Sequence, residues 1–294
     1  MEKVIILGAG PAGASAGIYL ANSNIIPLII YKDMGSLKKA KLIQNYYGLS
    51  KPLTGAELFN TGLNQLKSFG VNLINSEIVS IGYDGNFIVK TAENEYKSKV
   101  IILASGTDRK TIKLPGLKDY DGKGVSYCAL CDAFFFKGKA AAVTGNGEYA
   151  LHEADILSSH AKSVHILTNG EEPKFDIKKL NGKNIKLDKR PLLKVTGSQK
   201  LEKIFFDDNV SLDIDGLFIA MGSIGTSDII KHLGIMADDR GHIKTDENKM
   251  TNLPGAFAAG DCTGGLLQVS KSVADGAVAA ISAVNYLKNI QNKN

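Results

Sequence analysis

The sequence has only three cysteines among its 294 residues. So low and odd a count excludes a disulfide-stapled secreted scaffold, and any disulfide in the chain reads as catalytic rather than structural. Long apolar runs are missing too. No stretch approaches the roughly 20 residues that a membrane-spanning helix needs. The opening Met1-Glu2-Lys3 runs straight into the short apolar segment 4–7, which is too brief for a signal-peptide core. A dense block of Lys and Arg is also absent. The net charge of +5 is spread along the chain, so no nucleic-acid-binding arm stands out. These absences predict a cytoplasmic protein with no membrane and no nucleic acid among its partners. Tryptophan is missing altogether, and the Lys- and Asn-rich remainder is compatible with an AT-rich anaerobe.

What is present is enough for a folded core. The hydrophobic content is 44%, normal for a globular chain, and the length suits one large domain or two ordinary ones. A β-branched strand at 3–7, a small-residue helix at 12–21 and a strand at 27–31 make a βαβ start. That start implies a parallel, doubly wound α/β sheet. A helix is expected at 55–69, and strands at 71–75, 77–83, 87–91 and 100–104, with a turn at Asp84-Gly85. A second strand–glycine–helix unit begins at 140–143, with its next strand at 163–167. Short strands follow through 185–219, and a long helix from about 267 to 286 closes the chain. Two glycine-rich starts, at Gly8 and Gly145, point to two nucleotide-binding-type domains.

Three constellations carry chemistry. The first is Gly8-Ala9-Gly10-Pro11-Ala12-Gly13, between a strand and a helix. Gly8 allows the tight turn, Gly10 lets the backbone approach a pyrophosphate, and Gly13 lets helix and strand pack closely. The helix N-terminus then offers N–H groups to the phosphates. Asp33 has about the spacing of a ribose-binding acid, but it follows Tyr31-Lys32 and sits past the expected strand end.

The second is Tyr127-Cys128-Ala129-Leu130-Cys131-Asp132. The C-x-x-C spacing lets two sulfurs close a small disulfide loop, one attacking a partner and the other resolving the mixed disulfide. The adjacent Asp132 is placed to serve as a proton donor or acceptor. Zinc would need four ligands, and Cys262 is the only other cysteine. The third is Ala258-Ala259-Gly260-Asp261 ahead of Leu267-Gln268, where a carboxylate after a strand can accept from a ribityl chain. A helix N-terminus there would stabilise negative charge on a reduced flavin.

Together with Gln44-Asn45-Tyr46, Leu53-Thr54-Gly55, Ala104-Ser105-Gly106-Thr107 and Cys262, these motifs resemble the low-molecular-weight thioredoxin reductases over the whole chain. The resemblance implies two Rossmann-like domains, the second inserted into the first. The FAD-binding domain would comprise 1–112 and 240–294, and the inserted redox-disulfide domain 113–239. It implies FAD held by Gly8, Gly10, Pro11, Ala12, Gly13, Asn45, Gly106, Gly260, Asp261 and Gln268. It also implies that Cys131 faces the flavin, Cys128 attacks thioredoxin, and Asp132 is the acid/base. Members are homodimers whose small domain rotates between electron input and disulfide output. Cys262 would have a packing role, and Phe134-Phe135-Phe136 are expected in the core, with shielding of the dithiol or covering of the flavin as the alternatives.

One region departs from the NADPH-using members, which carry a glycine fingerprint in the inserted domain and a His-Arg-Arg cluster after the next strand. Here the fingerprint is Gly145-Asn146-Gly147-Glu148-Tyr149-Ala150, and the cluster position reads Thr168-Asn169-Gly170-Glu171-Glu172. Carboxylates replace the cations that would grip a 2′-phosphate. The stretch Met221-Gly222-Ser223-Ile224-Gly225 also lacks the usual Pro-Asn. The pattern resembles the ferredoxin-dependent flavin thioredoxin reductases of anaerobic bacteria. Lys97, Lys99, Arg109, Lys110, Lys113, Lys118, Lys123, Lys137 and Lys139 would suit an acidic ferredoxin. Two alternatives stay open: an NADPH- or NADH-dependent thioredoxin reductase, with Glu171 or Glu172 on an NADH ribose, and a non-catalytic FAD-binding redox sensor.

Overall fold

The computed structural model describes residues 1–106, 112–221 and 226–292. It divides into two compact units, Met1–Asp108 with Gly225–Asn294, and Arg109–Ile224, so the second interrupts the first. The first unit opens with β1 (Glu2–Leu7), α1 (Pro11–Asn22), β2 (Leu28–Tyr31), α2 (Gly55–Ser68), β3 (Asn72–Asn75), β4 (Ile78–Tyr83), β5 (Phe87–Thr91) and β6 (Glu95–Leu103). The second contains β7 (Val125–Ser126), α3 (Ala129–Asp132), β8 (Ala140–Thr144), α4 (Glu148–Ser158), β9 (Ser163–Leu167) and β10 (Ile185–Asp188). It continues through β11 (Leu192–Thr196), β12 (Lys203–Phe206), β13 (Ser211–Asp213) and β14 (Gly216–Ile219). The chain then completes the first unit with α5 (Thr226–Leu233), β15 (Ala256–Ala258) and α6 (Val269–Gln291).

The first unit's sheet runs β3-β2-β1-β6-β5-β4, with β15 also pairing β6. The strands around β1 are parallel, and β4, β5 and β6 form an antiparallel meander. Val4, Ile5, Ile6 and Leu7 are all buried, which is why β1 is a continuous apolar run rather than an alternating one. Strand β6 begins at Glu95, well before the apolar run that suggested 100–104. Its outer half is a β-meander strand that alternates exposed and covered residues, and only its inner half is buried on both faces.

Helix α1 starts on Pro11, whose missing N–H costs nothing in a first turn. Its small residues let α6 lie close: a methyl on Gly276 would strike the Ala12 carbonyl, and Ser15 Oγ donates to Val273 O at 2.8 Å. Helix α2 begins with a capping box, in which Glu57 N donates to Thr54 Oγ1 and Thr54 N donates to the Glu57 carboxylate.

The second unit holds a parallel sheet, β10-β9-β8-β14-β7, and a three-stranded antiparallel sheet, β11-β12-β13. Residues 226–239, assigned by sequence to the inserted domain, group instead with the first unit, where α5 packs on β4. Asp239-Arg240-Gly241, which suggested a boundary, is the tip of a tight turn closed by an Ala237–Ile243 bridge. Turn chemistry marks chain reversal and not domain limits. No helix among the described residues is long and apolar enough to cross a membrane.

Candidate active site

In the first unit the β1–α1 glycines divide by physical role. Gly8 has φ +107, donates to Ile30 O at 2.8 Å, and lies where an added methyl would strike the Ala104 carbonyl. A methyl on Gly13 would strike the Gly8 carbonyl. The fold itself demands both glycines. Gly10 differs: its backbone is ordinary (φ −67, ψ −175), and a methyl there would meet no protein atom within 4 Å. Its glycine keeps clear the space before the N-terminus of α1, where a pyrophosphate fits.

The α6 end of the chain meets this turn. Gly260, at φ +83, packs on Ala12 and Ser272, and Ser272 Oγ donates to Asp261 Oδ1 at 3.2 Å. Asn45 Nδ2 donates to Gln268 Oε1 at 3.0 Å, so two expected cofactor residues far apart in sequence form a pair. Gly106, at φ +69, follows β6 and hydrogen-bonds through its backbone to the Cys262 sulfur. Thr107 lies outside the described residues.

A brace missed by sequence reading holds the Gly260 turn. Asp275 on α6 is 5% exposed, pairs with Lys249 and Lys271 at 2.7 Å each, and accepts from Gly260 N at 3.1 Å. Burial alone would raise its carboxyl, but hydrogen bonds from Lys249, Lys271 and Gly260 hold it below the ordinary range. Lys271 Nζ also donates to Gly260 O at 2.8 Å. Cys262 is buried, and its sulfur donates to the Leu103 and Ala259 carbonyls at 3.3 Å. Burial pushes its thiol up to about 11, which suits packing rather than redox chemistry. Asp33 lies beyond the end of β2, exposed, with Oδ1 accepting from Gly35 N at 2.8 Å.

In the second unit Cys128 and Cys131 are joined as a disulfide. Cys128 caps the short α3, and its sulfur accepts from Cys131 N at 3.1 Å. Cys128 is fully buried while Cys131 is exposed. Asp132 Oδ2 accepts from Ser126 Oγ at 2.6 Å, and Ser126 Oγ accepts from Cys128 N at 3.3 Å. A hydroxyl thus links the acid to the backbone of the dithiol turn. From α4, Glu153 Oε2 accepts from Ala129 N at 2.6 Å.

Sequence reading missed Ser126 and Glu153. The signal for Glu153 was present: an acid on the same helical stripe as Tyr149, Ala150, Ala154 and Leu157, all buried. The aromatic run also needs correction. Phe136 is half-buried and packed edge-on against Phe218, but Phe134 and Phe135 are about two-thirds exposed, at 70% and 67%. The one-turn helix at 133–136 turns successive rings in different directions, so they cannot all face inward.

The second glycine turn is organised differently from the first. Gly145 has φ +153, and a methyl there would strike the Ala220 carbonyl, so the Rossmann-type turn is retained. Beyond it, Glu148 begins α4 and pairs with Lys179 at 3.1 Å, while Tyr149 is buried. Asn146 Nδ2 donates to Glu171 Oε2 at 2.5 Å, and Glu172 pairs with Lys189 at 2.7 Å. Asn146 also donates to Glu172 O and accepts from Lys174 N, tying the segment after β9 to the turn after β8. Of the segment 221–225, only Met221 is described.

The pattern that defines the pyridine nucleotide-disulphide oxidoreductases matches residues 2–276. A thioredoxin reductase of Bacillus subtilis (strain 168) is 33% identical over 98% of this chain and 95% of its own. The chain belongs to the low-molecular-weight thioredoxin reductases. Among solved structures, the atypical thioredoxin reductase of Desulfovibrio vulgaris Hildenborough is 35% identical, with a TM-score of 0.91 over 98% of this chain and 99% of that one. A ferredoxin-flavin thioredoxin reductase of Clostridium acetobutylicum is 28% identical, with a TM-score of 0.73 over 99% and 98%.

FAD is the cofactor of this reductase family, and the first unit fits it. The space kept open by Gly10, the N–H groups leading α1 and the Asp261 carboxylate supply what a dinucleotide needs. When bound, FAD supplies a carrier that accepts electrons and hands them on in pairs to a disulfide. The reductase's own residues shape the receiving end. The Cys131 N–H is already directed at the Cys128 sulfur and would steady a thiolate there. Asp132 stands within the same turn, its carboxylate accepting from Ser126 Oγ.

The basic residues divide between the units. Lys97 and Lys99 lie on β6, and Lys97 pairs with Asp84 at 3.5 Å. Lys113, Lys118, Lys123, Lys137 and Lys139 are exposed in the second unit. Arg109 and Lys110 lie outside the described residues.

Proposed function

We propose that this enzyme is a cytoplasmic, homodimeric ferredoxin-dependent thioredoxin reductase. Reduced ferredoxin is the electron source, bound FAD would supply the one-electron to two-electron relay, and the Cys128–Cys131 disulfide receives the pair. Cys128 then attacks the disulfide of thioredoxin. A mixed disulfide forms, and the departing thioredoxin sulfur takes a proton. Cys131 attacks Cys128 in turn, restoring the intramolecular disulfide and releasing dithiol thioredoxin. Asp132 serves as proton store, and the bound cofactor touches Gly8, Gly10, Pro11, Ala12, Gly13, Asn45, Gly106, Gly260, Asp261 and Gln268. Because Cys128 is buried, the attack requires a rearrangement that uncovers it.

The observation that carries the donor assignment is the second glycine turn. Glu148, Glu171 and Glu172 gather where a pyridine nucleotide's phosphates would lie, and Glu171 is engaged by Asn146. Glu148 and Glu172 are paired with Lys179 and Lys189, so these lysines are not free for a phosphate, and Arg190 is likewise engaged by Asp188 and Asp208. Similarity to the Clostridium ferredoxin-flavin enzyme supports the same reading. The exposed lysines of the second unit suit an acidic protein donor. Exposed Leu130, Phe134 and Phe135 around the disulfide favour a protein substrate over a small disulfide. Val278 and Ile281, exposed one turn apart on α6, favour a second copy as partner.

The test is spectroscopic. Under anaerobic conditions, NADPH and NADH should leave the flavin absorbance of the holoenzyme unchanged, and reduced ferredoxin should bleach it. Rapid bleaching by NADPH would overturn the assignment.

A further inference from the structure

A buried carboxylate sits against the dithiol turn. Glu153 is 1% exposed and its Oε2 lies 2.6 Å from the N of Ala129, one of the two residues between the cysteines. We propose that Glu153 is a positioning residue that anchors the C-x-x-C turn and, through its charge, holds down the thiolate of Cys128. This inference rests on the dithiol chemistry proposed above.

The geometry separates two N–H groups of the same turn. Cys131 N points at the Cys128 sulfur at 3.1 Å and favours negative charge on it. Ala129 N is the other donor next to Cys128, and it is already committed to Glu153. A hydrogen bond from an N–H to a carboxylate is charge-assisted and about twice as strong as a neutral one, so it fixes the turn firmly on α4. Ionised, as the hydrogen bond from Ala129 N favours, that carboxylate would place a negative charge next to the residue whose sulfur must become an anion. In a low-dielectric interior the two charges oppose each other. Glu153 thus has two separable effects, a positional one from the hydrogen bond and an electrostatic one from the charge.

Asp132 is the second carboxylate of the turn, and it is linked to the Cys128 backbone through Ser126 Oγ. The arrangement therefore has one acid at the exit of the turn for proton exchange. The other is buried beneath its entrance, with no solvent access of its own. The electrostatic effect sets how readily the disulfide is reduced. Where the pH is high enough to ionise Cys128, a group that disfavours the thiolate disfavours the reduced form, so there Glu153 keeps the reduced pair a strong electron donor to a protein disulfide.

The substitution Glu153→Gln separates the effects, because the amide oxygen still accepts from Ala129 N while the charge is gone. The experiment is a redox titration of the holoenzyme against dithiothreitol, anaerobic at fixed pH. One protein disulfide and one dithiothreitol dithiol exchange for one protein dithiol and one oxidised dithiothreitol. Cysteines are then counted by mass after alkylation in denaturant, where Cys262 labels in both states and only Cys128 and Cys131 change.

With the titration run at about pH 9.5, where the thiolate is populated, E153Q should raise the equilibrium constant for reduction about tenfold, equivalent to about 30 mV for a two-electron couple. An E153Q constant within twofold of the wild type, or shifted the other way, overturns the inference. If the wild type itself shows no two-electron cysteine equilibrium, the dithiol reading fails instead. Should E153Q not fold, the amide of Ala129 in the wild type decides. It should be strongly protected from hydrogen exchange in the oxidised protein, and exchange at the rate of an open peptide would refute the anchoring.

Discussion

Replacing Gly10 with Ala isolates what the cofactor needs from what the fold needs. The backbone at Gly10 has φ −67 and ψ −175, a conformation that alanine adopts without strain, and the new methyl would meet no protein atom within 4 Å. Removing glycine from such a position narrows the unfolded ensemble and stabilises the chain by about 0.4–1 kcal/mol. For a protein of this size the apoprotein's Tm should rise by roughly 1–4 °C. FAD binding should move the opposite way. The methyl stands between a pyrophosphate and the N–H groups that open α1, and losing one hydrogen bond to a charged group costs about 1.5–3 kcal/mol. That is about 10- to 150-fold in Kd.

The assay pairs thermal melting of apoprotein with fluorescence titration of FAD into wild-type and G10A apoprotein. Gly13→Ala is the contrast, since its methyl would strike the Gly8 carbonyl, and it should lose at least 1–3 kcal/mol or fail to fold. If G10A apoprotein melts lower than wild type, or binds FAD with unchanged affinity, the division of the glycines into ligand and fold positions is refuted.

Two further outcomes follow from buried titratable groups. Asp275 has its pKa depressed in the folded state, so its contribution to stability is full above the unfolded carboxyl value of about 4 and is lost as pH falls through the lower folded value. Melting temperatures of wild type and Asp275→Asn between pH 3 and 7 should therefore differ most at neutral pH and converge toward pH 3. A constant gap across that range would contradict the paired-carboxylate brace. Cys262, with its thiol raised to about 11 and its sulfur buried, should resist iodoacetamide at pH 8 in the native, fully reduced protein. Mass spectrometry should find at most two labels, and a third label acquired at a comparable rate would show that the site opens.

The doubly wound start, the second Rossmann-type turn and the C-x-x-C pair were legible in the sequence because each rests on short-range rules. Strand β1 is a β-branched apolar run, Gly8 and Gly13 occupy positions where a methyl cannot fit, and two cysteines three apart can close a disulfide wherever they lie. The exchange of cations for Glu171 and Glu172 was legible for the same reason, since charge is a property of residue type.

What the sequence could not decide depends on contacts between distant segments. The brace of Asp275 by Lys249 and Lys271, the Asn45–Gln268 pair, and the burial of Glu153 against Ala129 all join residues that no local pattern relates. The run of three phenylalanines divided into one half-buried ring packed on Phe218 and two exposed ones because a one-turn helix points each ring differently, which composition cannot encode. The boundary near Asp239 failed likewise, because a turn signal reports only that the chain reverses, while membership of a unit depends on which sheet a helix such as α5 covers. The sequence by itself determined the dithiol Cys128–Cys131, the fingerprint Gly8–Gly13 and the anionic character of the second turn. Only the tertiary structure decided which carboxylates bond to the dithiol turn and which braces hold the Gly260 turn, because those are set by packing across the chain and not by neighbours along it.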